Sequence, residues 1–307
     1  MNLKKKIIFL VGPTASGKSA VALELAEKLN CEIISCDSMQ VYKELNIVSA
    51  KPSKSDRKKI QHHLIDVVSV ADNYNVADYQ SQAQEAIKKI HKKNKIPLIV
   101  GGSGLYIKVL LDGIFSEAAS DKKIRDKLFK QAEKYGKSYL YCRLNKIDPA
   151  AANKIHPNDL RRIVRALEVY AKTKIPISRL QSQTKGLFDE YEVELFGLQL
   201  DRQELYQRIN DRVDKMFESG LVKELKRVLH KKLSLTAKKI IGIKEIQNFL
   251  TERISADEAK DLLKRNTRHY AKRQLTWFRK EKRINWIQIN PDENPKTIAG
   301  KIWKRRF

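Results

Sequence analysis

The octapeptide "GPTASGKS" at residues 12–19 follows directly on the apolar run "IIFLV" at 7–11. Its spacing satisfies G-x-x-x-x-G-K-[ST], and Ala22, Leu25, Ala26 and Leu29 then recur at helical spacing. A buried strand end, a glycine turn and a helix N-terminus, in that order, aim backbone N–H groups at phosphate oxygens. Such a loop works only between a strand and a helix, so the chain must open with the first β-loop-α unit of a parallel sheet. Gly12 and Gly17 permit the turn, Pro13, Thr14, Ala15 and Ser16 fill it, Lys18 adds a positive charge, and the Ser19 hydroxyl is placed to ligate Mg²⁺. The loop specifies phosphates, not the molecule that carries them.

The alternation continues. "CEIISCDS" reads as a strand ending at Asp37, "QHHLIDVV" as a further strand, and "NVADYQSQAQEAIKKIHKKN" as a long amphipathic helix. "IPLIVGG" reads as another strand, with a helix over 105–111 after it. Strands and helices in alternation imply right-handed crossovers, and ligands gather at the carboxyl ends of such strands. The 12–19 loop, Asp37 and Ser103 are therefore expected along one edge. Past Ile114 the texture changes: residues 121–190 are rich in helix formers and cations, with one strand-like piece, "SYLYCRL". "EVELFGLQL" at 192–200 reads as a return to the sheet, and 202–281 as mostly helix. The expected fold is α/β: a parallel-sheet core built from 1–114 and 191–307, mostly helical towards its C-terminus, with a helical subdomain inserted at 115–190.

Asp37 has two plausible jobs beside a phosphate site, holding Mg²⁺ or taking a proton from a nucleophile. Ser38 and Gln40 add hydrogen-bonding groups at the same strand end. "IPLIV" ends in "GGSG" without an acid to hold a hydrolytic water, which weakens an ATPase reading. Charge narrows the partner. The chain carries 62 Lys and Arg against 36 Asp and Glu, a net +26, which draws in polyanions. "HPNDLRRIVRALEVY" holds Arg161, Arg162 and Arg165 within about a turn. Arg208 and Arg212 stand four apart, and "RNTRHYAKRQLTWFRKEKR" mixes cations with Tyr270, Trp277 and Phe278. Cations interleaved with aromatics suit RNA, where phosphates are neutralised and bases stack on rings. The three cysteines, Cys31, Cys36 and Cys142, form no C-x-x-C pair and suit buried thiols in a reducing cytoplasm. Cys31, Cys36, His62 and His63 match no zinc-ligand spacing. The N-terminal apolar run is too short for a signal peptide, and no stretch approaches a membrane span.

The ordered series "GPTASGKS", "DSMQVY", "AKPS", "HHLID", "VADY", "GGSGLY", "IHPNDLRRIVRALEV", "RINDRVDKM", "IGIKE" and "YAKRQLTWFR" resembles the bacterial tRNA dimethylallyltransferases, or tRNA isopentenyltransferases, from about Ile7 to Arg279. The resemblance implies a P-loop NTPase-like core with an insertion that grips the tRNA anticodon stem-loop. It also implies transfer of a dimethylallyl group from dimethylallyl diphosphate to N6 of the adenine 3′ of the anticodon, position 37 of the tRNA, with Mg²⁺; separately, a cytoplasmic monomer is expected. On the same ground Asp37 matches the general base, and the 12–19 loop the diphosphate cradle, with Lys18 assisting the leaving group. Ser103 stands where Thr is common and is expected at the flipped base or its backbone, and Arg212 resembles an arginine of the active-site channel. Expected tRNA contacts are Asp37, Ser38, Met39, Gln40, Ser103, Arg125, Arg161, Arg162, Ile163, Val164 and Arg165. From the later segments they are Lys239, Gly242, Lys244, Lys272, Arg273, Gln274, Thr276, Trp277 and Arg279.

Departures from the family pattern are "IVSAKPS" for "IGTAKPS", Ile243 where Tyr is frequent, and "GIFSEAASDKK" without a Leu-Pro form. On the residues alone, a P-loop kinase of small metabolites also fits the first hundred positions, and an RNA-stimulated NTPase fits loop and charge together. The long basic C-terminal third counts against the kinase.

Overall fold

A computed structural model describes residues 4–115 and 120–305. Part of the "GIFSEAASDKK" departure, residues 116–119, lies outside them. Among the described residues six strands form one sheet: β1 (Lys6–Val11), β2 (Cys31–Cys36), β3 (His62–His63), β4 (Ile96–Gly101), β5 (Glu192–Gln199) and β6 (Asn285–Gln288). Their order is β3-β2-β4-β1-β5-β6, and every pairing is parallel. β1 is buried from Ile7 onward and β2 along its whole length, as a parallel sheet covered by helices on both faces requires. The helices Lys18–Lys28 and Pro295–Lys304 cover one face through Val21, Leu25, Ile298 and Ile302.

The register sets the functional edge. Val11 pairs with Gly101, and Gly101 with Cys36, so β1, β4 and β2 end level with one another. The residues that follow are Gly12, Gly102 and Asp37, and the expected alignment of the phosphate loop, Asp37 and Ser103 follows from this register.

The chain divides into two compact units, Met1–Leu110 with Glu190–Phe307, and Leu111–Asp189. Among its described residues the second has helices and no strand, and it has its own core, in which Leu128, Leu140, Leu144, Ile163 and Leu167 meet.

Several expectations change. "SYLYCRL" lies within a helix, Lys137–Ile147: Leu140 and Leu144, four apart, face that core, while Tyr139, Cys142 and Arg143 are exposed. "QHHLIDVV" yields only the two-residue β3, and the short β6 was not anticipated. Cys31 and Cys36 are buried thiols, but Cys142 is exposed.

Candidate active site

The phosphate loop keeps its turn through positive φ at Gly12, Ala15 and Gly17. Gly17 caps the helix Lys18–Lys28 without a side-chain acceptor, so the first N–H groups of that helix stay open to an anion. A cavity of 470 Å³ opens over the loop, lined among others by Thr14–Ser19 of the loop, Asp37, Gln40, Arg212 and Tyr270. All of these residues belong to the sheet-bearing unit.

Asp37 is half-buried at the end of β2, and its Oδ1 accepts from the Met39 N–H at 2.8 Å. The Ser103 hydroxyl accepts from the Ser38 N–H at 3.1 Å, and the Ser103 N–H donates to the Cys36 carbonyl at 3.2 Å, so the β2 and β4 ends are laced together. The Tyr270 phenol stands near Ser103; burial first, then the Asp37 charge, push its pKa up, and Ser103 only partly offsets them. The Cys36 thiol, raised to about 12 by burial, is no nucleophile.

Lys18 donates to the Pro13 carbonyl at 2.5 Å and to Ser16 Oγ at 3.3 Å. Burial, then the Arg212 charge, pull its pKa down to about 7, with Asp37 opposing. Arg212 is lowered by burial too, again opposed by Asp37. Burial and the Arg212 charge thus disfavour the ammonium form of Lys18 in the empty site, and a diphosphate over the loop would favour it again.

The glycines of "GGSG" are fixed by close packing. A Cβ on Gly101 would stand 2.0 Å from the Cys36 carbonyl, on Gly102 2.2 Å from Gln274 Nε2, and on Gly104 2.5 Å from the Trp277 ring. Trp277 therefore lies on the helix Gly104–Asp112. Gln274 is 7% exposed; it accepts from the Thr14 N–H at 2.8 Å and donates to the Gly102 carbonyl at 2.9 Å. Expected as a tRNA contact, Gln274 instead ties the phosphate loop to the end of β4, because both of its amide atoms are spent on buried backbone.

Glu224 plays a comparable part, accepting from the N–H groups of Asn46, Ile47 and Val48 at 2.9–3.1 Å. It thereby sets the loop that brings Val48, Ser49 and Ala50 to the cavity. Tyr270, Met216 and Arg208 also line the cavity; from sequence, Arg208 and Tyr270 read only as parts of basic, aromatic runs suited to RNA, and Met216 is not singled out. A signal for them exists: Leu263, Thr267, Tyr270 and Gln274 form one stripe of the helix Ala256–Phe278, and Arg208, Arg212 and Met216 one of Arg202–Glu218.

The remaining candidates lie elsewhere. Ser38, Lys239, Lys244, Lys272, Arg273, Thr276 and Arg279 are exposed on the sheet-bearing unit, but Gly242 is buried, with φ +106 and a virtual Cβ 2.8 Å from Val48. Arg125, Arg161, Arg162 and Arg165 belong to the insertion. Ile163 and Val164, expected to touch RNA, are 0% and 2% exposed and pack in the insertion core, so they are structural. Glu168, also 0% exposed, accepts from the Asp121 N–H at 2.6 Å, Arg125 Nε at 3.0 Å and Arg165 NH1 at 2.8 Å.

The family description "IPP transferase" matches residues 40–281. The chain belongs to the IPP transferase family. Among proteins of that family, the tRNA dimethylallyltransferase of Carboxydothermus hydrogenoformans is 50% identical over 98% of this chain and 97% of its own length. The tRNA dimethylallyltransferase of Halothermothrix orenii is 45% identical over 95% and 90%. The solved structure of the Bacillus halodurans tRNA isopentenylpyrophosphate transferase superposes with TM-score 0.71 at 37% identity, covering 98% of this chain and 97% of its own. A eukaryotic dimethylallyltransferase acting on tRNA reaches TM-score 0.83 at 31% identity, covering 97% and 77%. This member of the IPP transferase family therefore has the P-loop NTPase-like fold of its relatives and is a transferase. Among its described residues no helix is long and apolar enough to cross a membrane.

Proposed function

We propose that this protein transfers the dimethylallyl group of dimethylallyl diphosphate to N6 of the adenine 3′-adjacent to the anticodon of tRNA, tRNA position 37, releasing diphosphate. The observation that carries this reading is one cavity that holds a phosphate loop, two crowded cations and a single strand-end carboxylate, Asp37. The end of β4 offers backbone and Ser103 where a hydrolase would need a second acid.

The diphosphate lies in the Gly12–Ser19 loop, where open N–H groups, Lys18 and Arg212 stabilise the charge that grows on the leaving oxygens. Exocyclic N6 is a weak nucleophile because its lone pair is delocalised, and Asp37, held by Met39 N–H, takes its proton as the new C–N bond forms. Ser103 and Tyr270, neighbours near Asp37, hold the adenine edge. The adenine must leave its stack to enter, a step that is easiest in a loop. The Ser19 hydroxyl gives a hard oxygen donor at the cavity, which fits Mg²⁺ held together with the diphosphate; bound there, Mg²⁺ would neutralise diphosphate charge. The insertion presents Arg125, Arg161, Arg162 and Arg165 to tRNA phosphates. The protein acts in the cytoplasm as a monomer.

Incubation with labelled dimethylallyl diphosphate, Mg²⁺ and unmodified tRNA tests this. Label in the tRNA supports it, and brisk ATP turnover without transfer overturns it in favour of an NTPase or kinase. Asp37→Asn lowers transfer by about 10²–10⁴-fold while tRNA binding persists. If binding is lost instead, Asp37 is not the base.

A further inference from the structure

The insertion carries an aromatic feature that none of the expected contact segments contains. The helix Lys122–Tyr135 ends, and Lys137–Ile147 begins, at one shared residue, Gly136, with φ 83° and ψ 161°. Only glycine reaches that conformation cheaply. The resulting corner brings Tyr135 and Tyr139 together, ring centroids 5.1 Å apart and planes tilted by 43°. Both rings face solvent, 54% and 45% exposed, and residues 133–139 are exposed without interruption. Cations flank the rings. Lys134 Nζ stands 5.0 Å from the centroid of Tyr135. Arg143, one turn beyond Tyr139, lies 3.4 Å from Gln131, one turn before Tyr135, so the two helices share one face. Residues 122–147 hold nine Lys and Arg against two Asp and Glu.

We propose that the Tyr135–Tyr139 corner is a second RNA-docking surface, on which an unpaired base of the tRNA substrate stacks while Lys134, Lys137 and Arg143 hold the adjoining phosphates. Two open rings among cations suit a flat base on a charged backbone. They suit a protein partner poorly, because lysine is depleted from protein interfaces and no aliphatic side chain is exposed over 133–139. Gly136 supports the assignment: a Cβ there would meet nothing within 4 Å, so the glycine serves the turn that pairs the rings and not a tight fit.

This inference rests on the proposed tRNA substrate, and the experiment separates the two. Equilibrium binding of an unmodified tRNA transcript, and transfer from dimethylallyl diphosphate, are compared for the full chain, for Tyr135→Ala with Tyr139→Ala, and for the matching pair of Phe substitutions. Thermal melting confirms that each variant is folded, as expected for exposed positions. The Ala pair is expected to weaken tRNA affinity about tenfold with an unchanged salt slope. Its kcat at saturating tRNA stays at the wild-type value, and the Phe pair keeps wild-type affinity. Arg143→Ala, in contrast, lowers the salt slope. Wild-type affinity in the Ala pair overturns the corner while leaving the transferase reading intact. A wild-type chain that neither binds nor modifies tRNA overturns both.

Discussion

Gln274→Glu alters one atom and isolates what the amide does. In the variant one carboxylate oxygen still accepts from the Thr14 N–H, but the other faces the Gly102 carbonyl, which Gln274 met at 2.9 Å. Two routes relieve the clash. Binding a proton at neutral pH requires a shift of roughly three units above the ordinary glutamate value, about 4 kcal/mol. Leaving the carbonyl unpaired costs about 1–3 kcal/mol. The second route is cheaper and sets the penalty at neutral pH. It falls on the loop, not on the RNA face, so the Michaelis constant for dimethylallyl diphosphate rises about tenfold while that for tRNA stays within about twofold. The sign with pH follows: once protonated, the introduced carboxyl can donate to the Gly102 carbonyl, so its folded pKa is raised above the unfolded value. The recovered stability is therefore complete below the unfolded pKa and lost as pH rises through the folded one. Steady-state kinetics with each substrate varied in turn, with melting curves across pH, read both effects. A raised constant for tRNA with an unchanged one for the diphosphate would refute this reasoning and restore Gln274 as an RNA contact.

Other expectations concern charge. With Lys18 pulled down to about 7 by burial and Arg212, its amine is mostly neutral in the free protein near pH 8, and a bound diphosphate returns it to ammonium. Calorimetry in buffers of different ionisation enthalpy should find proton uptake on diphosphate binding, absent in Lys18→Met; no uptake in the wild type would place the amine elsewhere. Because the folded value lies below the unfolded one, ligand-free stability should rise between about pH 7 and 10.5. In the insertion, burial raises Glu168, but the Asp121 N–H, Arg165 and Arg125 outweigh it and hold its carboxyl below the usual 4.5. Glu168→Gln should therefore destabilise the insertion by about 2 kcal/mol at neutral pH, read by hydrogen exchange of its helices. That deficit should vanish as pH falls through the lowered value; a deficit independent of pH would assign Glu168 to packing alone.

The sheet and its functional edge were legible because the signals are local. A glycine loop after five apolar residues, and strands ending in Asp37 and in "GGSG", each declare themselves within a few positions. What was not legible depends on distant partners. Gln274 sits among Lys272, Arg273 and Arg279 and reads as part of an RNA-facing run, yet its partner at Thr14 is 260 residues away. "GGSG" reads as the lack of an acid, whereas its glycines answer to Cys36, Gln274 and Trp277. Ile163 and Val164 read with the arginines around them as RNA contacts, although apolar side chains within such a helix belong to a core. In "SYLYCRL" the aromatic content masked the four-residue spacing of Leu140 and Leu144.

The place of β1 has a consequence for how the protein is made. It is the first strand to leave the ribosome, it lies between β4 and β5, and five of its six residues are wholly buried. Its partner β5 begins only at Glu192, after the entire insertion has been synthesised. At about 5–20 residues per second, translation from Gly12 to Gln199 takes roughly 10–40 s. For that interval an apolar strand keeps one bare edge, while the sequence-continuous insertion can already close its own core. Nascent chains stopped before β5 should therefore be ready clients for chaperones and prone to aggregate, and the release of soluble protein should begin only once the far side of β1 is covered.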